Sequence, residues 1–302
     1  MKLVKPTFEI IKQEPGINGI YKHIERAGRT CYHSQDRIAS DSAKEFYERM
    51  VKSEHLAMLE HGTVYLAVPC FVVSAHDLPI YNDWHCLINN KYAKTDFDGE
   101  YYYITTNMRV LVEHEWLYAL KYLVEPGQYH ERRYTVKFTT GIDITREFNR
   151  HRVNSMAEES TRFCNYTKDK FGNEISVIPP QGIDYEKYLL ACSRWGEEDL
   201  DIFTTMCGCI WQRGEDDFCD IDLWIFANLA CQWSYMGLVG MGWKPQIARK
   251  VLPLDLKSEL VHTAFASDWE HFFELRCAED AHPDARALAI PLRDEFIREK
   301  YI

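Results

Sequence analysis

Tyr134-Thr-Val-Lys-Phe-Thr-Thr-Gly-Ile-Asp-Ile-Thr-Arg-Glu-Phe-Asn-Arg-His-Arg152 decides the fold class, because its period changes across Gly141. Tyr134 to Thr140 alternates as a strand does. Gly141-Ile142-Asp143 supplies a turn and an N-cap, and Ile144 to Arg152 continues at helical spacing. A strand delivered directly into a helix predicts an α/β chain of the α+β kind, a mixed sheet packed with long helices. The predicted helix ends on Arg150-His151-Arg152, and its neighbours Ser160 and Arg162 follow in the polar run Asn154-Ser155 and Glu158 to Arg162, which reads as a loop. A guanidinium is a flat fork of donors that matches phosphate and carboxylate oxygens, so this grouping suits a multiply phosphorylated ligand. The alternative is a solvated basic patch paired with Glu158 and Glu159. Arg146 and Arg150 share a helix face as like charges unless Glu147 or a bound anion offsets them. A strand, helix and loop junction is a common place for a site.

Outward from this stretch, Ser42-Ala-Lys-Glu45 has the form of a capping box and opens an amphipathic helix over about 42–56. Thr63 to Pro69 predicts a strand entered through Glu60-His61-Gly62. Residues ~70–104 read as irregular with short strands, marked by Asn89-Asn90 and Asp98-Gly99 turn signals. Asn107 is placed to cap a helix that carries Val110, Trp116 and Leu120 and stops at Pro126-Gly127. Helices are predicted over ~184–196, ~200–213 and ~221–239, and a short one from Lys244 closed by Pro253. Asp255 is placed to cap a long helix through about Ala278, on which Ser267 and His271 share a face. No linker, low-complexity tract or internal repeat interrupts the chain. Residues 1–302 therefore read as a single domain with insertions at about 70–130 and 167–220.

The chain has 302 residues, of which 46% are hydrophobic, and a net charge of −11. That length supports a large core. The charge argues against broad binding of nucleic acid or anionic membrane, so a local basic site implies a small ligand. The ten cysteines are scattered, and the opening MKLVKPTFEIIKQEPG has no apolar export core, so reduced thiols and a cytoplasmic location are expected. Cys207, Cys209 and Cys219 lack zinc-knuckle spacing and read as structural thiols; no metal site is expected. No apolar run is long enough for a membrane span.

Arg150-His-Arg152 followed after seven residues by Ser160, within Ser155, Glu158 and Ser160-Thr-Arg162-Phe163, resembles the signature of the flavin-dependent thymidylate synthases. Glu60-His61, Ala248-Arg249 with Leu252-Pro253, and Leu275-Arg276 occur in that family's order, and Arg29-Thr-Cys31-Tyr32 resembles its N-terminal segment. The resemblance spans roughly residues 27 to 286. It implies reductive methylation of deoxyuridine monophosphate, with methylenetetrahydrofolate as carbon donor, reduced FAD as hydride donor and NADPH as reductant. It also implies a homotetramer with active sites shared between chains. Carried over residue by residue, Thr63, Arg150, His151, Arg152, Glu158 and His271 would contact FAD, with His61 near flavin and folate. Arg150, Glu158, Glu159, Ser160, Thr161, Arg162, Arg249 and Arg276 would hold the nucleotide.

The chemistry such a reaction demands agrees with these roles. Uracil C5 is a poor nucleophile, and a cation beside the N3/O4 edge stabilises the charge that develops as it attacks. Arg276 is the candidate catalytic residue, since arginine stays protonated at any working pH. The family requires no cysteine nucleophile, so Cys164, closest to the motif, is expected to pack. Two other readings of the same residues are a same-fold flavoenzyme with another carbon donor and a non-catalytic nucleotide-binding protein. The chain departs from the family's pattern at Glu147, often glutamine, at Ala157 and His271, often asparagine, and at Phe163, often tyrosine. Glu147 would repel a nucleotide phosphate unless a neighbouring arginine compensates.

Overall fold

Arg133–Gly141 forms the strand that its alternation predicts in the computed structural model, which describes residues 1–74, 81–182 and 220–302. In chain order, β1 (Lys2–Leu3) and β2 (Thr7–Ile11) lead to α1 (Gly16–Cys31) and α2 (Ser42–Lys52). Next come β3 (Thr63–Pro69), α3 (Cys70–Val73), α4 (Tyr81–Ile88), β4 (Lys94–Phe97), β5 (Tyr101–Asn107) and α5 (Met108–Glu113). They are followed by β6 (Arg133–Gly141), α6 (Ile142–Phe148), β7 (Ser155–Glu158) and β8 (Ser176–Val177). The last described stretch holds α7 (Asp220–Gly240), α8 (Pro245–Ala248), β9 (Lys257–Phe265), α9 (Ala266–Arg276) and α10 (Pro283–Arg298). The fold is thus mixed α and β, as expected. The helices predicted over ~184–196 and ~200–213, and the Cys207, Cys209 and Cys219 cluster, lie outside the described residues.

Contacts gather the chain into two compact units. The larger comprises Pro6–Thr140, Ile144–Ser160 and Ser258–Ile302. Its four-stranded sheet has the order β2-β6-β9-β7, with β2 antiparallel to β6 and β7 antiparallel to β9. Val136, Phe138, Phe148, Trp269, Phe272 and Phe296 form its core, fully buried where α9 and α10 cover the sheet. A second, three-stranded antiparallel sheet, β3-β5-β4, shares another core with α1 and α2 through Ile20, Ile24, Phe46, Leu66 and Trp84. Gly28 is what permits α1 to lie this close to α2, since a Cβ there would sit 2.4 Å from the Phe46 ring.

The smaller unit comprises Met1–Lys5, Gly141–Asp143 and Thr161–Lys257. In it β1 pairs in parallel with β8, and Cys164, Tyr166, Val177, Tyr235 and Leu256 pack as its core. Cys164 is 1% exposed there, a packing residue.

Several expectations fail for physical reasons. The long helix from Asp255 to Ala278 is instead the strand β9 followed by α9. As an inner strand of its sheet, β9 is buried on both faces from Leu260 to Phe265, so it shows no alternation, and periodicity cannot separate such a run from a buried helix. The helix predicted to reach Arg152 stops at Phe148, and the supposed loop after it contains β7, an edge strand too short and polar to declare itself. The helix from Asn107 does have its cap, Asn107 Oδ1 accepting from the Val110 N–H at 3.2 Å. It ends at Glu113, however, and Glu115 takes a left-handed conformation, φ +60°, before a separate 3-10 turn over Leu117–Tyr122.

Ser42 forms no cap hydrogen bond and donates instead to Glu25 Oε2 at 2.9 Å. The stretch read as irregular contains a β4–β5 hairpin, turned where Asp98 Oδ1 accepts from the N–H groups of Glu100 and Tyr101, both at 2.8 Å.

Candidate active site

The motif that ends the opening stretch sits in a tight turn just past α6. His151 N–H donates to the Phe148 carbonyl at 3.1 Å and Asn154 N–H to the His151 carbonyl at 3.1 Å, a turn that buries His151 while Arg150 and Arg152 point outward. Arg276, the last residue of α9, reaches this turn. Its Nε donates to His151 Nε2 at 3.1 Å, its Nη1 to Glu147 Oε2 at 2.9 Å and its Nη2 to the Glu147 carbonyl at 2.6 Å. The guanidinium is thereby fixed on one side by α6, and these three bonds leave one N–H on each of Nη1 and Nη2 unused. Glu147 Oε1 also lies 3.3 Å from Arg150 Nη2. The condition under which Glu147 would not repel an anion, a compensating arginine, is met twice over, by Arg276 and Arg150.

Because His151 Nε2 accepts a hydrogen bond, the ring is neutral with its proton on Nδ1. Burial first, then the charges of Arg276 and His271, bring its pKa down to about 4. Its ring packs on Phe272, with centroids 5.0 Å apart, and near His262, at 6.4 Å. His262 is fully buried and held well below its ordinary pKa chiefly by that burial, with its Nε2 accepting from Asn154 Nδ2 at 2.8 Å.

Glu158 turns toward α6, accepting from Thr145 Oγ1 at 2.7 Å, Asn149 Nδ2 at 2.8 Å and Ser258 Oγ at 3.3 Å. Its oxygens fasten β7 to its neighbours. Glu159 is buried with an oxygen 3.1 Å from His33 Nδ1, and the Ser160 N–H donates to the Cys31 carbonyl at 3.0 Å. His271, on α9, is 62% exposed with Nδ1 3.3 Å from Glu274.

A second polar cluster surrounds His61 and Thr63. His61 is fully buried; its Nδ1 lies 2.8 Å from Thr263 Oγ1, and its Nε2 is buried without a hydrogen-bond partner among the described residues. Thr263 Oγ1 lies 2.8 Å from Thr135 Oγ1, which lies 2.8 Å from His23 Nε2. Arg133 closes the group, donating to the Glu60 carbonyl at 3.0 Å, Thr63 Oγ1 at 3.2 Å and Ser155 Oγ at 3.1 Å. Burial lowers its pKa to about 10, with Tyr65, Glu60 and Asp268 opposing. Burial likewise holds His23 and His61 at about 3, with Arg26 then Arg133 adding to the first and His23 then Arg133 to the second.

Two cavities adjoin this cluster. One of about 340 Å³ is lined by Gln13, His23, Tyr65, Arg133 and Thr135 among others; one of about 220 Å³ is lined by Glu60, Arg109, Arg133, Val153, Thr263 and Asp268 among others.

In the smaller unit, Thr161, Arg162 and Arg249 come together. Arg249 Nη1 donates to Thr161 Oγ1 at 3.0 Å, and Arg162 Nε to Gln246 Oε1 at 3.2 Å while its guanidinium lies 5.5 Å from the Phe163 ring. These partners are neutral, so the positive charge stays available to an anion.

A family model described as thymidylate synthase complementing protein matches residues 129–299. The chain belongs to this family. The thymidylate synthase complementing family match contains every expected nucleotide residue from Arg150 to Arg276 and leaves out His61 and Thr63. A flavin-dependent thymidylate synthase of Geobacter sulfurreducens is 40% identical over 66 residues, which are 22% of this chain and 28% of that relative. Among solved structures, the UMP/dUMP methylase PolB of Streptomyces cacaoi bound with 5-Br dUMP is 15% identical, with 99% of this chain and 93% of that one covered and a TM-score of 0.39.

Sequence reasoning missed Arg133, Thr135, His23, Thr263 and Asn154. Threonines in a strand are ordinary β-formers, and only pairing across the sheet reveals their shared polar role. Arg133 gave one faint signal, a cation at the mouth of an otherwise alternating strand.

Proposed function

We propose that this protein methylates deoxyuridine monophosphate to thymidine monophosphate, with methylenetetrahydrofolate as carbon donor, reduced FAD as hydride donor and NADPH as the reductant of the flavin. The observation that carries this reading is Arg276, a catalytic cation fixed in the motif's own turn by His151 and Glu147. The 40% identity to a protein named as a flavin-dependent thymidylate synthase supports it over the matched stretch.

The side chains present suit FAD in part. Arg150 and Arg152 are exposed, and charge-assisted donors of that kind suit a diphosphate. The unpartnered His61 Nε2 is a buried polar atom that a ligand would complete. Thr63 and Glu158 fit less directly, because their side-chain oxygens already accept from Arg133 and from Thr145 and Asn149. We therefore assign Arg150, Arg152 and His61 as direct FAD or folate contacts, with His271 at the rim. His151, Thr63 and Glu158 hold those contacts in place. The flavin would supply the hydride when bound.

The chain's own residues bind, orient and stabilise. Ser160, Thr161, Arg162 and Arg249 hold the nucleotide phosphate, and Glu159 fixes the backbone before Ser160. Arg276 stands against the pyrimidine edge and stabilises the charge that develops as C5 attacks the one-carbon donor. Its fixed position means that no reorganisation is needed as that charge appears. Glu147 orients Arg276 and offsets the charge of Arg150. A homotetramer with shared sites and a cytoplasmic location complete the proposal. FAD added to the purified protein is expected to give a bound-flavin absorbance that shifts on adding deoxyuridine monophosphate; a protein that takes up neither would refute the reading.

A further inference from the structure

We propose that His23, Thr135, Thr263 and His61 form a proton relay, which carries one proton between the cavity at Gln13 and Tyr65 and the buried Nε2 of His61. The inference rests on the synthase reading above. The hydrogen bonds are continuous, each of the three links being 2.8 Å. They cross the four-stranded sheet from α1, through β6 and β9, to the turn before β3.

Proton bookkeeping gives the chain its character. Each threonine hydroxyl carries one hydrogen and faces two partners, so with every hydrogen kept within the chain it donates to one and accepts from the other. The whole chain therefore has only two internally consistent arrangements. In one, His23 Nε2–H donates to Thr135, Thr135 to Thr263 and Thr263 to His61 Nδ1, which leaves the hydrogen of His61 on Nε2. In the other every link is reversed, and both rings carry hydrogen on Nδ1.

Passing from the second arrangement to the first moves one proton outward. His61 Nε2 takes a proton from the site, His61 Nδ1–H passes its own to Thr263, Thr263 to Thr135 and Thr135 to His23 Nε2. His23 Nδ1–H then releases one to a water in the cavity that His23 lines. One N–H or O–H bond forms for each that breaks, and no imidazolium is required at rest.

The ends of the chain suit this role. His61 Nε2 is a buried nitrogen with no hydrogen-bond partner among the described residues, and such a group is costly to leave unpaired unless a ligand completes it. Thr263 lines the cavity beside Glu60 and Asp268, while His23 and Thr135 line the other. Burial and the nearby Arg133 keep both rings neutral, the state in which each has one donor and one acceptor nitrogen. Replacing the C5 hydrogen of a pyrimidine by a methyl group releases a proton, and a neutral relay removes it without leaving a buried charge; because Arg276 lies on the opposite face of the sheet from His61, the nucleotide served is one held against Arg276 of another chain in the proposed tetramer with shared sites.

Two readouts test the relay. Nitrogen-15 NMR of the imidazoles in the full-length protein is expected to find His23 and His61 in the same tautomer, and Thr135→Val is expected to uncouple them. Opposite tautomers in the unaltered protein would overturn the relay whether or not the enzyme turns over. For turnover, Thr135→Val should lower methylenetetrahydrofolate-dependent tritium release from C5-labelled deoxyuridine monophosphate by about tenfold or more, with the nucleotide KM unchanged. Thr135→Ser, which restores the hydroxyl, should recover most of the rate. Full turnover in a folded Thr135→Val protein would sink the relay alone, whereas no tritium release from the unaltered protein with shared tautomers would sink the synthase reading alone.

Discussion

The two polar clusters of the larger unit lie on opposite faces of one sheet and treat charge differently. β9 supplies His262 to the Arg276 cluster and Thr263, the next residue, to the His61 cluster; β7 faces these with Met156 and Ser155. Consecutive strand residues point to opposite faces, so the two assemblies are back to back. Around Arg276 the charges are matched at contact distance: Glu147 meets both Arg276 and Arg150. Around His61 no carboxylate among the described residues touches Arg133, whose Nη1 and Nη2 donate to a carbonyl and two hydroxyls, and the histidines are neutral. One face holds a permanent cation in a fixed place. The other holds neutral imidazoles and hydroxyls joined by hydrogen bonds.

The comparison breaks first at Arg276. Arg276→Ala should lower turnover by about a hundredfold or more, the scale of losing one preorganised donor to developing charge. Bound flavin should be retained, because Arg150 and Arg152 remain. Glu147→Ala should act less severely, by about tenfold, as Arg276 keeps its bonds to His151 and to the Glu147 carbonyl. Steady-state kinetics on both variants checks the order; an Arg276→Ala enzyme as active as the unaltered one would remove the distinction between the faces.

Part of the fold was legible in the sequence: β3 and β6 carry simple alternation, α7 a long apolar run, and the basic motif announces itself by charge in an acidic chain. What stayed hidden was set by partners distant in sequence. β9 is covered on both faces and so resembles a buried helix, and β7 becomes a strand only by pairing with it. Arg150 was foreseeable as a partner of Glu147 on the same helix, whereas Arg276, 129 residues away in sequence, was not. The second cluster was less legible still: Thr135 and Thr263 are 128 residues apart and joined only by the sheet.

A smaller and more general effect is expected with pH. His23 and His61 are held at about 3 in the folded chain, below the ordinary histidine value of about 6.5. Above the ordinary value both states are neutral and the two groups contribute no pH dependence. As pH falls below it, the unfolded chain binds protons that the folded one refuses, so stability declines until about pH 3. Each group adds a slope of at most about 1.4 kcal/mol per pH unit. Denaturant melts of the unaltered protein and of His23→Gln between these limits should differ by one group's share, and identical slopes would show that His23 is not held neutral by the fold.

The central claim is that the cation fixed at Arg276 serves methylation of a uracil nucleotide. Its most direct test is release of tritium from C5-labelled deoxyuridine monophosphate by the flavin-loaded protein, with NADPH, in the presence and absence of methylenetetrahydrofolate. Release with formation of thymidine monophosphate is expected only when the folate is present. A flavin-loaded protein that forms none under those conditions would contradict it.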